Sequence, residues 1–503
     1  MRAVILAPLM DGATVLDPQR CFASSSFITR HDDPLIPNQI FSGRLLNRSF
    51  DVSVRVGTVF WGDSSQTTFG ALDFANDDHA LDVFRQFGVR NRGIEVRVGD
   101  PEQFWQDWRV EFTGIAETPS FILVGEGSAL RIALSDLSQL LDKPIVQAAY
   151  SSGALANKPH PLAIGLPLNV PATMSDPATM QYDCLAGGYV LAVRDQGDPL
   201  AVLSQWIPNG LGFQMLISPV GRLTADVEGP RSTLLHRTQF VDGFVEYVLE
   251  QFGITNIHPD IYGVLAFLGY ELGYFSDKAV TGKQIMDELA ASYGAGWFFD
   301  KLGRFNLIPL TPPSSTAVAV ITESMVIGTV NARPDLARGF SPVAAALRNW
   351  HVHSPSEIAG SLTAVGSYQL IAQQLQQPFR AYLRGAPVTK LPDWDVEISE
   401  AEMARVTSDF GIGTLLVNET HAQAEADRWR ALFADRPWFY DVKVTSTADV
   451  LALERFQTIE LTVPKVGKGA LAVRPFGLDA TNVLVVGWDR RGNDLETTLT
   501  VRI

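Results

Sequence analysis

The side chains whose type and spacing could best do chemistry are the two histidines of His351-Val352-His353. On a strand, residues i and i+2 share a face, so this pair could bind a metal ion. A third ligand within reach is not visible in the sequence. The spacing therefore favours a solvated or interface pair, and we predict neither a bound metal nor an organic cofactor.

A group of carboxylates, Asp77, Asp78 and Asp82, lies close to Asn76. Such a group could bind calcium or act as acid and base. Its spacing does not match an EF-hand loop, and acidic residues at the start of a helix complement the helix dipole. We therefore interpret these residues as a turn followed by a helix N-terminus.

Recognised catalytic motifs are absent from the sequence. It has no Walker A sequence, no strand-associated G-x-G-x-x-G, no G-x-S-x-G elbow and no H-E-x-x-H. Gly187-Gly188 and Gly294-Ala295-Gly296 are typical of turns and helix ends. A Ser–His–Asp triad stays open on residue counts alone, but nothing points to one, so the motifs indicate a β-rich protein without an evident active site.

The two cysteines, Cys21 and Cys184, are too few for a disulfide framework, a four-cysteine zinc site or a cysteine-ligated iron–sulfur cluster. We expect both to be buried small apolar residues of a protein made in a reducing cytoplasm.

Composition narrows the class of protein. The 503 residues are 46% apolar and 19% charged, which supports large packed cores. The net charge of −15 disfavours a general role in binding nucleic acid or anionic membranes. No apolar run approaches the roughly 18 residues of a transmembrane helix. The apolar segment from Ala3 to Met10 is interpreted as a first β-strand and not as a signal peptide.

The N-terminal half of the chain is predicted to be β-rich. Segments Ser53 to Phe60, Gly93 to Gly99 and Ala129 to Leu134 alternate with period two, which is typical of an antiparallel barrel or sandwich. We assign residues 1–170 to an N-terminal β-barrel domain, with one short helix over Asp78 to Phe87. Residues 171–235 are predicted to be a proline-rich β/loop connector, because the prolines forbid long helices.

Residues 236–310 change to helical spacing and form a predicted α+β domain. One helix covers Phe240 to Phe252, and a second begins at Thr281, which has capping-box spacing to Gln284. A β-hairpin follows. Its apolar and turn residues are candidate structural anchors and not ligand-binding groups: Trp297, Phe298, Phe299, Asp300 and Gly303.

Residues 311–503 are predicted to be a further region of strands with a helical insertion. A boundary at Thr311 to Ser315 precedes a strand at Ala317 to Ile321. Ser399 and Glu402 could cap a short helix, and Asn418 a longer one with inward-facing residues Ala422, Ala426, Trp429, Leu432 and Phe433. The predicted fold class is α+β, predominantly antiparallel β.

The order of several local patterns resembles the baseplate hub proteins of long-tailed, siphovirus-like phages and phage-like gene-transfer particles. The likeness spans most of residues 50–503. In chain order it rests on Leu72, Asn76-Asp77, Leu81-Asp82, Phe87-Gly88 and Arg92; Phe112-Thr113-Gly114; Leu134, Asp136, Leu141-Asp142-Lys143-Pro144-Ile145 and Gln147; Lys158-Pro159, Pro161-Leu162, Gly165 and Asn169-Val170-Pro171; Gly294, Gly296-Trp297-Phe298-Phe299-Asp300 and Gly303-Arg304; Phe476-Gly477-Leu478 and Val485-Val486-Gly487. Asp78-His79 stands where the family has a glycine.

This resemblance implies a structural protein of the phage tail tip and not an enzyme. It also implies two small β-barrels joined to α+β domains, one barrel in residues 1–170 and a second barrel region in residues 311–503. Three chains would form a homotrimeric ring that joins the sixfold tail tube or distal tail ring to a threefold central fibre or spike. The implied partners are the distal tail or tail tube protein, the fibre or spike protein, the tape-measure protein and, only in transit, DNA. No membrane insertion is implied, and the chain would be made in the cytoplasm of the bacterial host.

Two other functions stay open from the sequence. A tail-associated cell-wall hydrolase would need a concave site with two carboxylates about 5–10 Å apart. A peripheral receptor- or carbohydrate-binding tail protein could stack sugars on its Trp and Tyr residues, although most of these lie beside apolar neighbours and are interpreted as core.

Overall fold

The computed structural model describes most of the chain: residues 1–11, 14–17, 19–46, 52–55, 66–124, 127–145, 148–151, 155–234, 236–261, 269–328, 330–332, 344–364, 366–382, 390–391, 396–397, 411–433, 439–463, 478–490 and 496–502. Among these residues, the sheets are antiparallel except for two parallel strand pairs, and helices are few. The chain is therefore α+β and predominantly antiparallel β, which confirms the predicted fold class. Within the described residues, no helix is long and apolar enough to cross a membrane.

An antiparallel sheet of seven strands organises the N-terminal region. Its strands follow the order β12-β13-β11-β10-β1-β4, and β9 pairs with β13. The predicted alternation is confirmed in β10, where Ile94 and Val96 are buried. Instead of the predicted helix over Asp78 to Phe87, a short 3-10 turn covers Asp82–Arg85. The strands of this region are β1 Arg2–Leu6, β2 Leu9–Asp11, β3 Thr14–Asp17, β4 Arg20–Ala23, β5 Phe27–Ile28, β6 Ile40–Phe41, β7 Val52–Arg55, β8 Gln66–Phe69, β9 Ala71–Ala75, β10 Gly93–Val98, β11 Arg109–Ala116, β12 Ser120–Val124 and β13 Gly127–Ser135.

The proline-rich stretch that follows is more ordered than a connector. Its two four-stranded sheets, β15-β22-β18-β19 and β16-β17-β21-β20, share a core that includes Val193, Trp206 and Phe213. Prolines exclude long helices but tolerate short strands at sheet edges, which explains this outcome. The strands are β14 Leu162–Gly165, β15 Val170–Pro171, β16 Thr173–Asp176, β17 Gln181–Asp183, β18 Tyr189–Asp195, β19 Asp198–Pro199, β20 Trp206–Asn209, β21 Gly212–Met215 and β22 Leu223–Glu228.

The α+β unit matches its sequence pattern closely. Both predicted helices and the predicted hairpin are present, and glycines with positive φ follow the helices, Gly253 at 70° and Gly294 at 48°. Such backbone angles cost glycine nothing, which is why it ends helices. The elements are α1 Val241–Glu250, β23 Gly273–Ser276, α2 Gly282–Ser292, β24 Ala295–Phe299 and β25 Phe305–Pro309.

The capping box at the start of α2 gives a first testable prediction. The Thr281 hydroxyl accepts the Gln284 amide at 3.2 Å, and the Gln284 side chain accepts the Thr281 amide at 3.1 Å. Thr281→Ala should lower the local stability of α2 by about 1 kcal/mol, because a helix N–H loses its partner. Hydrogen exchange of the α2 amides should then be about fivefold faster. Thr281→Ser keeps the hydroxyl and is the control, and unchanged exchange in Thr281→Ala would contradict the prediction.

The C-terminal region contains an eight-stranded sheet with the order β26-β34-β35-β36-β33-β27. Its helices are α3 Gly360–Ala364, α4 Gly366–Leu375, α5 Glu419–Phe433 and α6 Ala448–Ala452. Its strands are β26 Ala319–Ile321, β27 Asn331–Ala332, β28 Ala344–Arg348, β29 Phe379–Tyr382, β30 Lys390–Leu391, β31 Val396–Glu397, β32 Gly411–Gly413, β33 Phe439–Thr445, β34 Thr458–Val463, β35 Leu478–Arg490 and β36 Glu496–Arg502.

Two long-range connections tie these regions together. Strand β7, predicted as part of the N-terminal barrel, pairs with β35 and so extends the C-terminal sheet together with β8. Helix α5 packs on the α+β core, where Ala422 and Ala426 lie with residues of α1 and α2. Its predicted inward residue Leu432 is buried, whereas the side chains of Trp429 and Phe433 and the predicted cap at Ser399 and Glu402 lie outside the described residues.

Candidate functional site

The hairpin β24–β25 holds the predicted anchor residues. Trp297 is 1% exposed, and its Nε1 donates a hydrogen bond of 2.7 Å to Oδ1 of Asp287 on α2. Its ring stacks on Phe305 at a centroid distance of 5.9 Å and meets Phe299 edge-on at 6.4 Å. Trp297 and Phe299 thus share one face of the hairpin and belong to the core under α2, as strand alternation predicts.

Phe298 points to the opposite face of the hairpin. There its ring lies 6.3 Å from that of Phe456 and 6.0 Å from the guanidinium carbon of Arg455. Arg455 is buried and donates a hydrogen bond of 3.0 Å to the carbonyl of Val486 in β35. Phe298 therefore joins the α+β unit to the C-terminal sheet.

The turn of the hairpin is built around Asp300. Its Oδ1 accepts the amides of Leu302 and Arg304, both at 2.9 Å, and its Oδ2 accepts Nε of Arg304 at 2.7 Å. Gly303 has a φ of 69°, and a Cβ on it would lie 3.1 Å from Cγ2 of Thr113 in β11. Glycine is required there both by its backbone angle and by the approach of the N-terminal sheet.

All five anchor candidates therefore lie where three parts of the chain meet: the α+β core, β11 of the N-terminal sheet and the C-terminal sheet. The three aromatic rings are buried, so they do not offer an open face to a ligand. The residue that sequence reasoning missed here is Asp287. Its place on α2, six residues before Tyr293, gives no sign in the sequence that its carboxylate accepts a hydrogen bond from the Trp297 indole.

The acidic group near Asn76 is engaged by local partners. Asp77 accepts the amide of Ser128 at 2.7 Å, and Asp78 forms a two-point pair with Arg44, at 2.8 and 2.5 Å, which lowers the pKa of Asp78. Asp82 accepts the Asn76 amide group at 2.8 Å, which lowers the pKa of Asp82. These contacts fit the structural interpretation of the cluster.

The histidine pair lies in a different environment from the one predicted. His351 and His353 follow β28 in an irregular segment and not in a strand, yet their rings lie only 4.7 Å apart. His353 is 1% exposed, and the side chain of His351 is 18% exposed, so the pair is not solvated, and its place at an interface stays a prediction. Burial lowers the pKa of His353 to about 4 and also lowers the pKa of His351, so both imidazoles are neutral at pH 7.

A third candidate ligand, Glu357, stands beside the two histidines. Its Oε2 lies 3.5 Å from Nε2 of His351, and the ligand atoms of the three residues lie within 4.8 Å of one another. Glu357 ends a 3-10 turn whose capping box begins at Ser354, and the Ser354 amide holds the pKa of this carboxyl below its usual value. The S-x-x-E spacing of a capping box was the available sequence signal for its position.

Three surface depressions bear on the hydrolase alternative, which requires a concave site with two carboxylates. Their volumes are about 260, 320 and 370 Å³. Among the described residues, each is lined by a single carboxylate, namely Glu228, Asp441 and Glu111 respectively. Glu111 is also paired with Arg2 at 2.8 Å and Arg109 at 3.1 Å. In the part of the chain that the structure describes, none of these three depressions provides the two carboxylates that glycoside hydrolysis needs.

Comparison with known proteins gives similarity to solved structures only. No protein-family model matches the chain, and no curated protein matches it. The chain is similar to the 43 kDa tail protein of prophage MuSo2 from Shewanella oneidensis, with a TM-score of 0.41, 9% identity and coverage of 100% of this chain and 97% of that chain.

Two further solved structures are similar to it. A tail protein from Neisseria meningitidis MC58 has a TM-score of 0.36, 10% identity and coverage of 100% of this chain and 96% of that one. The prophage tail protein gp18 from Listeria monocytogenes EGD-e has a TM-score of 0.32, 8% identity and coverage of 92% and 90%. At such low identity the similarity concerns the fold alone.

Proposed function

We propose that this chain is a structural subunit of a phage-type tail and, more specifically, the baseplate hub at the tail tip. The observation that carries the proposal is the junction at hairpin β24–β25, where an α+β core meets two separate β-sheet regions. The hub resemblance in the sequence implies two β-barrels joined by α+β domains. The Trp297 to Arg304 segment that carries the clearest part of that resemblance is the segment that lies at the junction.

In this proposal the chain acts as an adaptor between symmetries. Three chains with two β regions each present six similar surfaces to a sixfold tail tube or distal tail ring, while the other face of the trimer holds the threefold fibre or spike. A closed ring requires each subunit to keep its own core and to bury additional surface against its neighbours. The separate cores of the N-terminal and C-terminal sheets meet the first requirement.

The ring would surround the path of DNA and contact the tape-measure protein. A channel through which DNA slides should not hold phosphates, because each Lys or Arg contact releases counterions and adds affinity. The net charge of −15 supports a lumen lined by acidic and small polar side chains. Lys and Arg would then lie mainly on outer or intersubunit faces.

The proposal predicts a homotrimer at the tail tip. Light scattering of the purified chain at micromolar concentration should give three times the 55.0 kDa mass of one chain. Images of particles that carry a tagged chain should place it at the tip with threefold symmetry. A sixfold ring of single chains would contradict the hub, and a peripheral position with glycan binding would favour the receptor-binding alternative. Digestion of cell walls by the purified chain would favour the hydrolase.

A further inference from the structure

We propose that His351, His353 and Glu357 form a binding site for one divalent transition-metal ion, with zinc as the best-suited ion. This site goes beyond the tail role and departs from the sequence-based expectation of no metal. The sequence showed two ligands, and the folded chain adds the third. Among the described residues, these three form the group of His, Cys, Asp and Glu side chains whose ligand atoms come together, within 4.8 Å of one another.

The buried ring of His353 is the second and independent observation. It is 1% exposed, and neither Nδ1 nor Nε2 has a hydrogen-bond partner among the described residues. Nε2 of His351 is likewise buried without a hydrogen bond, and the Glu357 carboxylate 3.5 Å away is beyond good hydrogen-bonding distance. Buried polar groups in folded proteins nearly always have hydrogen-bond partners. Three imidazole nitrogens without such a partner, beside a carboxylate, therefore indicate a site for a cation.

The chemistry of the three donors selects the kind of ion. Zinc is commonly held by imidazole nitrogen and carboxylate oxygen, and sites with three protein ligands leave one position for water or another group. Calcium and magnesium prefer sites made entirely of oxygen atoms. Ligands on a tetrahedral zinc ion stand roughly 3.3 Å apart, given bond lengths of about 2.0–2.1 Å. The three side chains therefore need to close by roughly 1.5 Å at most, which small side-chain rotations supply.

The backbone of the segment is fixed before any ion binds. The His351 amide donates to the carbonyl of Asn169 at 2.9 Å, and the Asn169 side chain donates to the carbonyl of His351 at 2.8 Å. The His353 amide donates to the carbonyl of Leu375 at the end of α4, at 3.0 Å. The capping bond from the Ser354 amide engages only one carboxylate oxygen of Glu357. The ligands are thus held by bonds to two other parts of the chain and by one bond within their own segment, which reduces the entropy cost of binding.

The charges around the site set a limit on its affinity. Arg194 and Arg222 repel positive charge on the two rings. Arg194 is paired in two-point fashion with Asp226, which neutralises it locally. Glu357 supplies the negative charge nearest the histidines. Because Glu357 is the only anionic ligand of the three, its loss should weaken metal binding strongly.

A bound ion would fix the segment that joins two cores. Trp350, directly before His351, packs against both the α+β core and the core of the proline-rich β region. Its ring meets those of Tyr274 and Phe275 edge-on, at 5.3 and 6.1 Å. The structural role of the ion would be to hold this segment in place between the two regions.

The test is a zinc titration of the chelator-treated full-length chain at pH 7 against a chromophoric competitor. We expect one Zn²⁺ per chain and no comparable binding of Mg²⁺ or Ca²⁺. His353→Gln and Glu357→Gln should each weaken zinc affinity by more than about tenfold, since even loss of an outer-shell partner costs roughly 10–100-fold. His79→Ala is the matched control, because His79 also lies beside a carboxylate, 3.4 Å from Asp82, but outside the cluster.

A second measurement separates a metal site from a merely structural cluster. At a free zinc concentration 100 times the dissociation constant, openings that release the ion should become about 100-fold rarer, and amide exchange in residues 349–357 should slow accordingly. If His353→Gln fails to fold, Glu357→Gln still tests the proposal, because glutamine can accept the Ser354 amide. Absence of stoichiometric zinc, or unchanged affinity in Glu357→Gln, would overturn it. Either result would leave the tail role untouched, since the tail role is tested by mass and particle images.

Discussion

Trp297→Ala should destabilise the α+β unit by about 3–5 kcal/mol and, under the proposed hub role, abolish assembly into tails. The indole is 1% exposed, stacks on Phe305 and bonds Asp287, so its removal leaves a large cavity and deprives a carboxylate of a hydrogen bond. Because the hairpin lies between three parts of the chain, loss of its core face should also loosen their arrangement. Native-state hydrogen exchange of α2 and β24 amides measures the local effect, and incorporation into particles measures assembly.

Two variants make this test specific. Trp297→Phe keeps an aromatic ring but lacks the N–H donor, and it should cost clearly less than Trp297→Ala. Tyr189→Ala removes an aromatic side chain that is 67% exposed and should change stability by only about 0.5 kcal/mol. A Trp297→Ala chain that is stable and assembles normally but no longer adsorbs to cells would show that Trp297 binds a ligand and is not an anchor.

The α+β unit could be predicted from sequence because its signals are local. The capping box at Thr281, the glycines at the helix ends and the alternation through Trp297 and Phe299 all act within a few residues. Period and capping rules describe interactions at that range. The same reasoning correctly placed both cysteines in the interior.

Other features depend on contacts between distant residues. No local pattern shows that β7 pairs with β35, because strand alternation fixes which face is buried and not which partner is chosen. The environment of His353 depends on Leu375 and, through its neighbour His351, on Asn169. When segments distant in sequence bury a polar side chain, the residues next to it in sequence do not show that burial. The H-x-H spacing alone therefore favours a solvated or interface pair.

Arg428 is the clearest case of such a long-range contact and leads to the second large effect. Its guanidinium donates to the carbonyl of Leu310 at 2.7 Å and to that of Tyr293 at 2.5 Å, at the open end of hairpin β24–β25. It also bonds both carboxylate oxygens of Glu425, at 2.9 and 2.6 Å. The bonds to the two carbonyls thus join helix α5 to the hairpin, and the carboxylate that balances the guanidinium charge, Glu425, is only 1% exposed.

Arg428→Ala should therefore destabilise the packing of α5 on the α+β core by about 3–5 kcal/mol, because the buried Glu425 loses its positive partner and two carbonyls lose a donor. Arg428→Lys should recover only part of this, since an ammonium group cannot reproduce the forked geometry. In the double variant Arg428→Met with Glu425→Gln, the buried charge is gone, so the cost should be much smaller than that of Arg428→Ala. Hydrogen exchange of the α5 amides measures the destabilisation caused by Arg428→Ala, by Arg428→Lys and by the double variant. Equal costs for Arg428→Ala and the double variant would mean that the lost hydrogen bonds to the Leu310 and Tyr293 carbonyls, and not the buried charge of Glu425, are the cause.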